Sequence, residues 1–193
     1  EAGLALGGRP GLERLFGRVL PVMEAQDILV GNLEGSITLS TEGNPRKRFQ
    51  FRMPPGTGAA MKDAGFDLVL FANNHVLDFG AAGFEDSLAD LETAGLPQVG
   101  AGRTSTEALA ARSLSPGSPG SQGPVFIGFG SYPAERYGFT TAEAEAGPAK
   151  GGINADEEAT LGAIRAEAAK GGFVVVLAHG GSEYRFEPSA QII

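Results

Sequence analysis

Residues 64–96, AGFDLVLFANNHVLDFGAAGFEDSLADLETAGL, decide the fold class. Within them, 68–72 (LVLFA) is a continuous apolar run, the pattern of a strand covered on both faces rather than one half-exposed to water. Polar residues follow at once: Asn73, Asn74 and His75, with Asp78 shortly beyond. Residues 81–94 then repeat Phe84, Leu88 and Leu91 on one helical face and stop at Gly95, ahead of Pro97. Strand, polar loop and helix in that order form the repeating unit of an α/β protein.

The same unit recurs on either side. Apolar runs at 28–30 (ILV), 125–129 (VFIGF) and 173–178 (FVVVLA) read as three more buried strands. Residues 12–25 place Leu12, Leu15, Phe16, Val19, Leu20 and Met23 at helical spacing, with a kink expected at Pro21. A short helix is expected over 58–64. Another should run from near Asn154 to Gly171, with Asp156, Glu157 and Glu158 in its first turn, where the helix dipole favours negative charge. The alternation predicts a largely parallel sheet with helices on its faces. Residues 113–124 (SLSPGSPGSQGP) lack apolar periodicity and read as a flexible surface loop or hairpin connection, so 1–193 is taken as a single domain.

Composition narrows the function classes. The chain is 42% hydrophobic and 20% charged, and no apolar run approaches the roughly 20 residues of a membrane span. Residues 1–8 show no signal-peptide pattern. With no cysteine, any metal must be held by Asp, Glu, Asn or His. A net charge of −8 argues against nucleic acid, since neutralising phosphates needs a clustered basic surface. Arg46, Lys47, Arg48 and Arg52 form the one local basic exception.

Ligands of parallel α/β sheets gather beyond the carboxyl ends of strands. Gly31, Asn32, Leu33 and Glu34 follow the first strand; Asn73, Asn74 and His75 follow the second; His179, Gly180, Gly181, Ser182, Glu183 and Tyr184 follow the last. Both histidines of the chain therefore end strands. Structural readings compete with this: the asparagines tolerate left-handed turns, and Asp78 suits a helix cap or a partner for loop amides. Asp27 and Asp67 precede strands and lie at the opposite edge, where the structural reading wins. The coincidence of Glu34, Asn74, His75 and His179 at one edge favours a site, whose oxygen and imidazole groups suit Mn, Fe, Zn or Mg.

The strings 27–38 (DILVGNLEGSIT), 49–55 (FQFRMPP), 64–96 as quoted, 99–103 (VGAGR) and 174–191 (VVVLAHGGSEYRFEPSAQ) resemble, in order and spacing, the poly-gamma-glutamate capsule-biosynthesis family of CapA type. The resemblance implies a metallophosphatase-like α/β fold, a two-sheet β-sandwich flanked by helices. It also implies site roles: Asn32, Glu34, Asn74 and His179 as metal ligands, His75 and Glu183 as the catalytic pair, and Tyr184 lining the same pocket. That family's domain opens with a strand ending in Gly-Asp upstream of Glu1 and continues past Gln191 to a histidine-rich motif, so the chain is expected to be truncated at both ends, with its metal weakly held or absent. Gly180 stands where the family often has Trp.

Two function classes follow from the resemblance. One is a metal-dependent hydrolase acting on a phosphoester or a gamma-glutamyl bond. The other is a non-catalytic assembly component that binds poly-gamma-glutamate or a membrane synthase partner, with Arg46, Lys47, Arg48 and Arg52 holding the polyanion. An extracytoplasmic or cell-surface location is implied by the resemblance. A third outcome is an inactive fragment that self-associates, as a homo-oligomer, through an unpaired strand edge.

Overall fold

The computed structural model describes residues 8–115, 123–131, 138, 141–181 and 187. In chain order the elements are α1 (Gly8–Phe16), a 3-10 turn (Gly17–Val19), α2 (Leu20–Glu24), β1 (Val30–Asn32), β2 (Ser36–Ile37), β3 (Arg52–Met53), α3 (Thr57–Asp63), β4 (Leu68–Leu70) and α4 (Gly80–Ala94). They continue with β5 (Gln98–Val99), β6 (Ala101–Gly102), α5 (Ser105–Leu109), β7 (Arg112–Ser113), β8 (Val125–Ser131), α6 (Thr141–Ala144), β9 (Gly152–Ile153), α7 (Glu157–Ala169) and β10 (Val174–Gly180). The fold is mixed α/β.

All four expected strands form, but in more than one sheet. β1, β4 and β5 make a parallel sheet in the order β1-β4-β5. β8 pairs in parallel with β10 and antiparallel with β7, while β2–β3 and β6–β9 are separate two-stranded ribbons. The single largely parallel sheet is thus corrected to several small sheets. Short elements such as β2 and β6 are two residues long, too short to leave a periodic signal.

The central layer is β4 with α4 against it. Leu68, Val69, Phe71 and Ala72 are fully buried, and Phe71 stacks on Phe84 of α4 with ring centroids 5.7 Å apart. Ser87 of α4 accepts the Ile37 amide at 2.8 Å and so fastens β2 to the same helix. Asp90 of α4 accepts the Gly58 amide at 2.7 Å and the Gly56 amide as well, capping α3 from a neighbouring helix.

The expected kink at Pro21 falls earlier. Gly17 adopts φ +51 and breaks the helix, and Pro21 instead stands in the first turn of α2, where its missing N–H leaves nothing unpaired. β1 starts two residues later than the apolar run suggested, so Asn32 closes the strand rather than following it. Gly31 lies in that strand because Phe66 occupies the space of a side chain: an added Cβ would stand 2.6 Å from the ring. The Ser/Pro/Gly run sits between strands that pair as a hairpin, Ser113 opposite Val125 and Leu114 N–H to Pro124 O at 3.1 Å; its residues 116–122 lie outside the described ones.

Asn154, ahead of α7, joins the two larger sheets. Its amide donates to Gly100 O at 2.8 Å and its carbonyl accepts from Gly130 N at 2.9 Å. Its side chain donates to Gly128 O at 2.8 Å and to Thr160 at 2.9 Å. Here the backbones of Gly100 and Gly128 approach so closely that a Cβ on Gly128 would stand 2.5 Å from Gly100 N. Asn154→Ala should therefore cost about 2 kcal/mol in urea unfolding, because two buried acceptors lose their donor; a loss below about 0.5 kcal/mol would show that the junction does not depend on this side chain.

Candidate functional site

Three strand ends and one crossing segment build the site. β1 ends in Asn32, and the turn after it, fixed by Leu33 N–H to Leu70 O at 3.0 Å, presents Glu34. The turn after β4 carries Asn73, Asn74, His75 and Asp78, all buried. β10 brings His179 from the second sheet. Residues 44–52 cross over this turn, with the Asn44 amide on Asp78 O at 2.7 Å.

The four strand-end residues expected at one edge, Glu34, Asn74, His75 and His179, meet, and Asn32 lies beside them. His179 Nε2 lies 2.9 Å from Asn74 Oδ1 and 4.0 Å from Glu34 Oε1. His75 Nε2 lies 3.8 Å from the same Glu34 oxygen. Asn32 turns its amide nitrogen to Glu34 Oε2 at 2.9 Å and to His179 Nδ1 at 3.4 Å, while its oxygen accepts from Asn73 at 3.3 Å. As oriented, Asn32 braces Glu34 and His179 through its amide nitrogen and turns its oxygen to Asn73. Asn73 is a second brace: it donates to Leu33 O at 2.8 Å and accepts the His75 amide at 3.0 Å. Burial, helped by nearby His75 and opposed by Glu34, pulls the His179 pKa below its ordinary value of 6.5, which favours the neutral imidazole.

Asp78 lies behind His75. Its Oδ2 stands 2.8 Å from His75 Nδ1 and accepts the Phe51 amide at 2.6 Å; its Oδ1 is paired with the Lys47 ammonium. The loop-amide reading of Asp78 thus captures one of three contacts. A His and an Asp three residues apart in a turn share one side, so the spacing held a signal for the pairing. Phe51, exposed for about half its surface, stacks on the His75 ring at 4.2 Å and 25°.

Lys47 corrects the expected basic edge. Its side chain is 3% exposed, its ammonium donates to Asp78 and to Asn74 O, and burial lowers its pKa despite the opposing attraction of Asp78 and Glu34. Such an ammonium is committed to the interior and cannot hold an external polyanion. The neighbouring cations stay outside: Arg46 pairs with Glu143 at 2.9 Å, Arg48 lies 5.1 Å over Phe49, and Arg52 donates to Ser40 O at 2.7 Å. Glu183 and Tyr184 lie outside the described residues.

The chemistry of the set suits a divalent ion. Donors sharing one ion at about 2.0–2.2 Å stand roughly 3–4 Å apart, and His179 Nε2 lies 2.9 Å from Asn74 Oδ1 and 4.0 Å from Glu34 Oε1. Among the described residues no three acidic, thiolate or imidazole groups cluster as a ligand set by themselves. Asp78 on Nδ1 of His75 is the kind of outer contact that fixes the orientation of an imidazole at a metal or proton-transfer site.

Removing one partner of a buried ion pair leaves an uncompensated charge. Lys47→Met is therefore expected to cost about 3–5 kcal/mol. In a double-mutant cycle with Asp78→Asn, the coupling energy should be about 1–3 kcal/mol, read from denaturant unfolding of the four proteins. Additive losses would contradict the pairing.

Residues 7–193 match the family described as "Bacterial capsule synthesis protein PGA_cap". Among curated relatives, the chain is 37% identical over 115 residues to the "probable polyglutamine synthesis accessory protein" of Mycobacterium tuberculosis, covering 58% of this chain and 30% of that protein. It is 34% identical over 97 residues to the "capsule biosynthesis protein CapA" of Bacillus anthracis, covering 49% and 24%. It is 26% identical over 184 residues to the "PGA biosynthesis protein CapA" of Bacillus subtilis, covering 93% and 45%. The chain thus spans less than half the length of these relatives. With the match running through the strand ends that carry Asn32, Glu34, Asn74, His75 and His179, the chain belongs to the bacterial capsule synthesis protein family PGA_cap.

Proposed function

We propose that this chain carries a metal-assisted hydrolytic site of the poly-gamma-glutamate capsule machinery, in a metallophosphatase-like arrangement of its strands, acting on a phosphoester or gamma-glutamyl bond. The observation that carries the reading is the convergence of Glu34, Asn74 and His179 beside a His75 whose far nitrogen is held by Asp78. The capsule role is supported by the family match and by relatives named for capsule and PGA biosynthesis. An extracytoplasmic place of action and a membrane synthase partner belong to the same proposal.

Glu34, Asn74 and His179 would hold the ion, of which Mn, Zn, Fe and Mg are the candidates; bound there, it would supply a water of lowered pKa and charge for a developing oxyanion. The rest is the work of the chain. Asn32 and Asn73 fix the Glu34 and His75 segments before any ligand arrives. With Nδ1 engaged by Asp78, His75 takes up and returns a proton at Nε2, the atom facing Glu34 and the place where a leaving group would need it. Phe51 covers one face of that ring and limits water there.

A second reading, a polyglutamate-binding component without catalysis, is favoured by Arg46, Arg48 and Arg52, which lie exposed on the segment that crosses the site. Neutralising Arg46 and Arg48 together should then abolish polyanion binding while leaving any hydrolysis of a small substrate unchanged.

The test is elemental analysis after incubation with Mn or Zn, on this chain and on a full-length member of the same family, followed by assays on a phosphodiester and a gamma-glutamyl peptide. About one equivalent of metal, with turnover lost by more than about 100-fold in His179→Ala, is the expected result. No metal in either protein would overturn the hydrolytic reading and leave the binding role.

A further inference from the structure

We infer that a cavity beside the turn of the site is a subsite for an intact α-amino-acid head, an ammonium and a carboxylate on one carbon, at the amino end of a gamma-linked glutamyl chain. The choice of that chain as occupant rests on the proposed function; the cavity and its chemistry depend on no metal and no reaction. The cavity has a volume of about 600 Å³. Segment 42–46 forms one wall, Leu77 and Phe79 of the turn that carries His75 form another, and α4, Glu143 of α6 and the stretch 150–151 supply the rest.

Three observations carry it. First, opposite charges line the cavity side by side. Arg46 pairs with Glu143 at 2.9 Å, with side chains 53% and 47% exposed. An ion pair in contact with water contributes little by itself, so a ligand that brings one charge of each sign can replace it at little cost. An α-amino-acid head does so, its carboxylate taking the Arg46 guanidinium and its ammonium taking Glu143. Second, Leu77, Phe79 and Phe84 give the same cavity an apolar surface, which suits the methylene stem of that residue. Third, Lys150 lines the cavity from the stretch ahead of β9, its ammonium on Glu145 O at 2.6 Å, and so places a second cation for a second carboxylate.

Volume and charge together select a chain end. A space of about 600 Å³ takes a ligand larger than one amino acid. Glu85 of the lining is held by Arg103 at 2.8 Å, which leaves Glu42 and Glu143 against Arg46 and Lys150. Such a balanced lining opposes the uniformly anionic interior of a glutamyl polymer and favours the one residue that carries an ammonium. In an alpha-linked peptide the first residue gives its α-carboxylate to the peptide bond. In a gamma-linked one it keeps both charges on one carbon, so the pair at Arg46 and Glu143 discriminates between the two linkages.

The experiment titrates the intact, 15N-labelled and chelator-treated chain with gamma-glutamyl-leucine, alpha-glutamyl-leucine, N-acetyl-gamma-glutamyl-leucine and free glutamate, read from backbone amide shifts. Gamma-glutamyl-leucine should shift Asn44, Arg46, Lys150 and Gly151 and bind at least about 10-fold more tightly than its alpha isomer or its acetylated form, each of which lacks one charge of the head. Ala81→Phe, which fills the cavity from an exposed position in α4, and Glu143→Gln should each weaken binding by a similar factor. Arg46 stays unchanged, so the readout is separate from the polyanion binding proposed for Arg46 and Arg48. Equal binding of the two isomers, binding unchanged in Ala81→Phe, or no saturable shift at these residues would overturn the inference. Free glutamate binding as tightly as the dipeptide would overturn the chain end as occupant. Binding lost in His179→Ala and kept in Ala81→Phe would move the peptide to the cation site and overturn the subsite. Because no metal or turnover enters the titration, failure of the hydrolytic proposal would leave this result standing, and the reverse.

Discussion

The buried carboxylate of Asp78 is the contact on which the site depends. It collects an ammonium and a backbone amide from the crossing segment and an imidazole from its own turn, and it is itself fully buried. Burying a carboxylate without partners would cost several kcal/mol, so folding the 44–52 segment over the turn and orienting His75 are one event rather than two. The same logic explains why Lys47 is sequestered among exposed arginines: only a cation at that position satisfies the anion beneath it.

That interior pair sets the edge toward which the sheets aim. β1 and β4 run in parallel and end together, which brings Asn32 and Glu34 beside Asn74 and His75. His179 arrives from β10, in the other sheet, and its place relative to Asn74 depends on how the two sheets are joined. Asn154 makes that junction through four hydrogen bonds, over a crossing where glycine is required because backbone meets backbone. A site shared between two sheets is sensitive to their relative placement, and a buried asparagine hydrogen-bonded on both sides is a rigid way of fixing it.

Much of this was legible in the sequence. The apolar runs located the strands, and reading the residues just past them brought Glu34, Asn74, His75 and His179 together. The short strands were not legible, since two residues have no period, and neither was the break at Gly17, because the apolar spacing continues through it. Lys47 misled: beside Arg46 and Arg48 it reads as surface charge, and nothing in RKRF marks which cation turns inward. Burial of a charge is decided by a partner 31 residues away, which local pattern cannot reveal. The role of Asn32 is not legible from the sequence either, because an amide at a strand end offers either an oxygen or a nitrogen, and only its neighbours determine which faces the site.

The central claim is that Glu34, Asn74 and His179 form one cation site beside His75. Anomalous diffraction from crystals soaked in Mn tests it most directly. The account predicts one peak about 2.0–2.3 Å from a Glu34 oxygen, the Asn74 amide oxygen and a His179 nitrogen, the distances of first-row metal bonds to oxygen and imidazole. A peak elsewhere on the chain, or none at occupancies that label other proteins of this family, would contradict it.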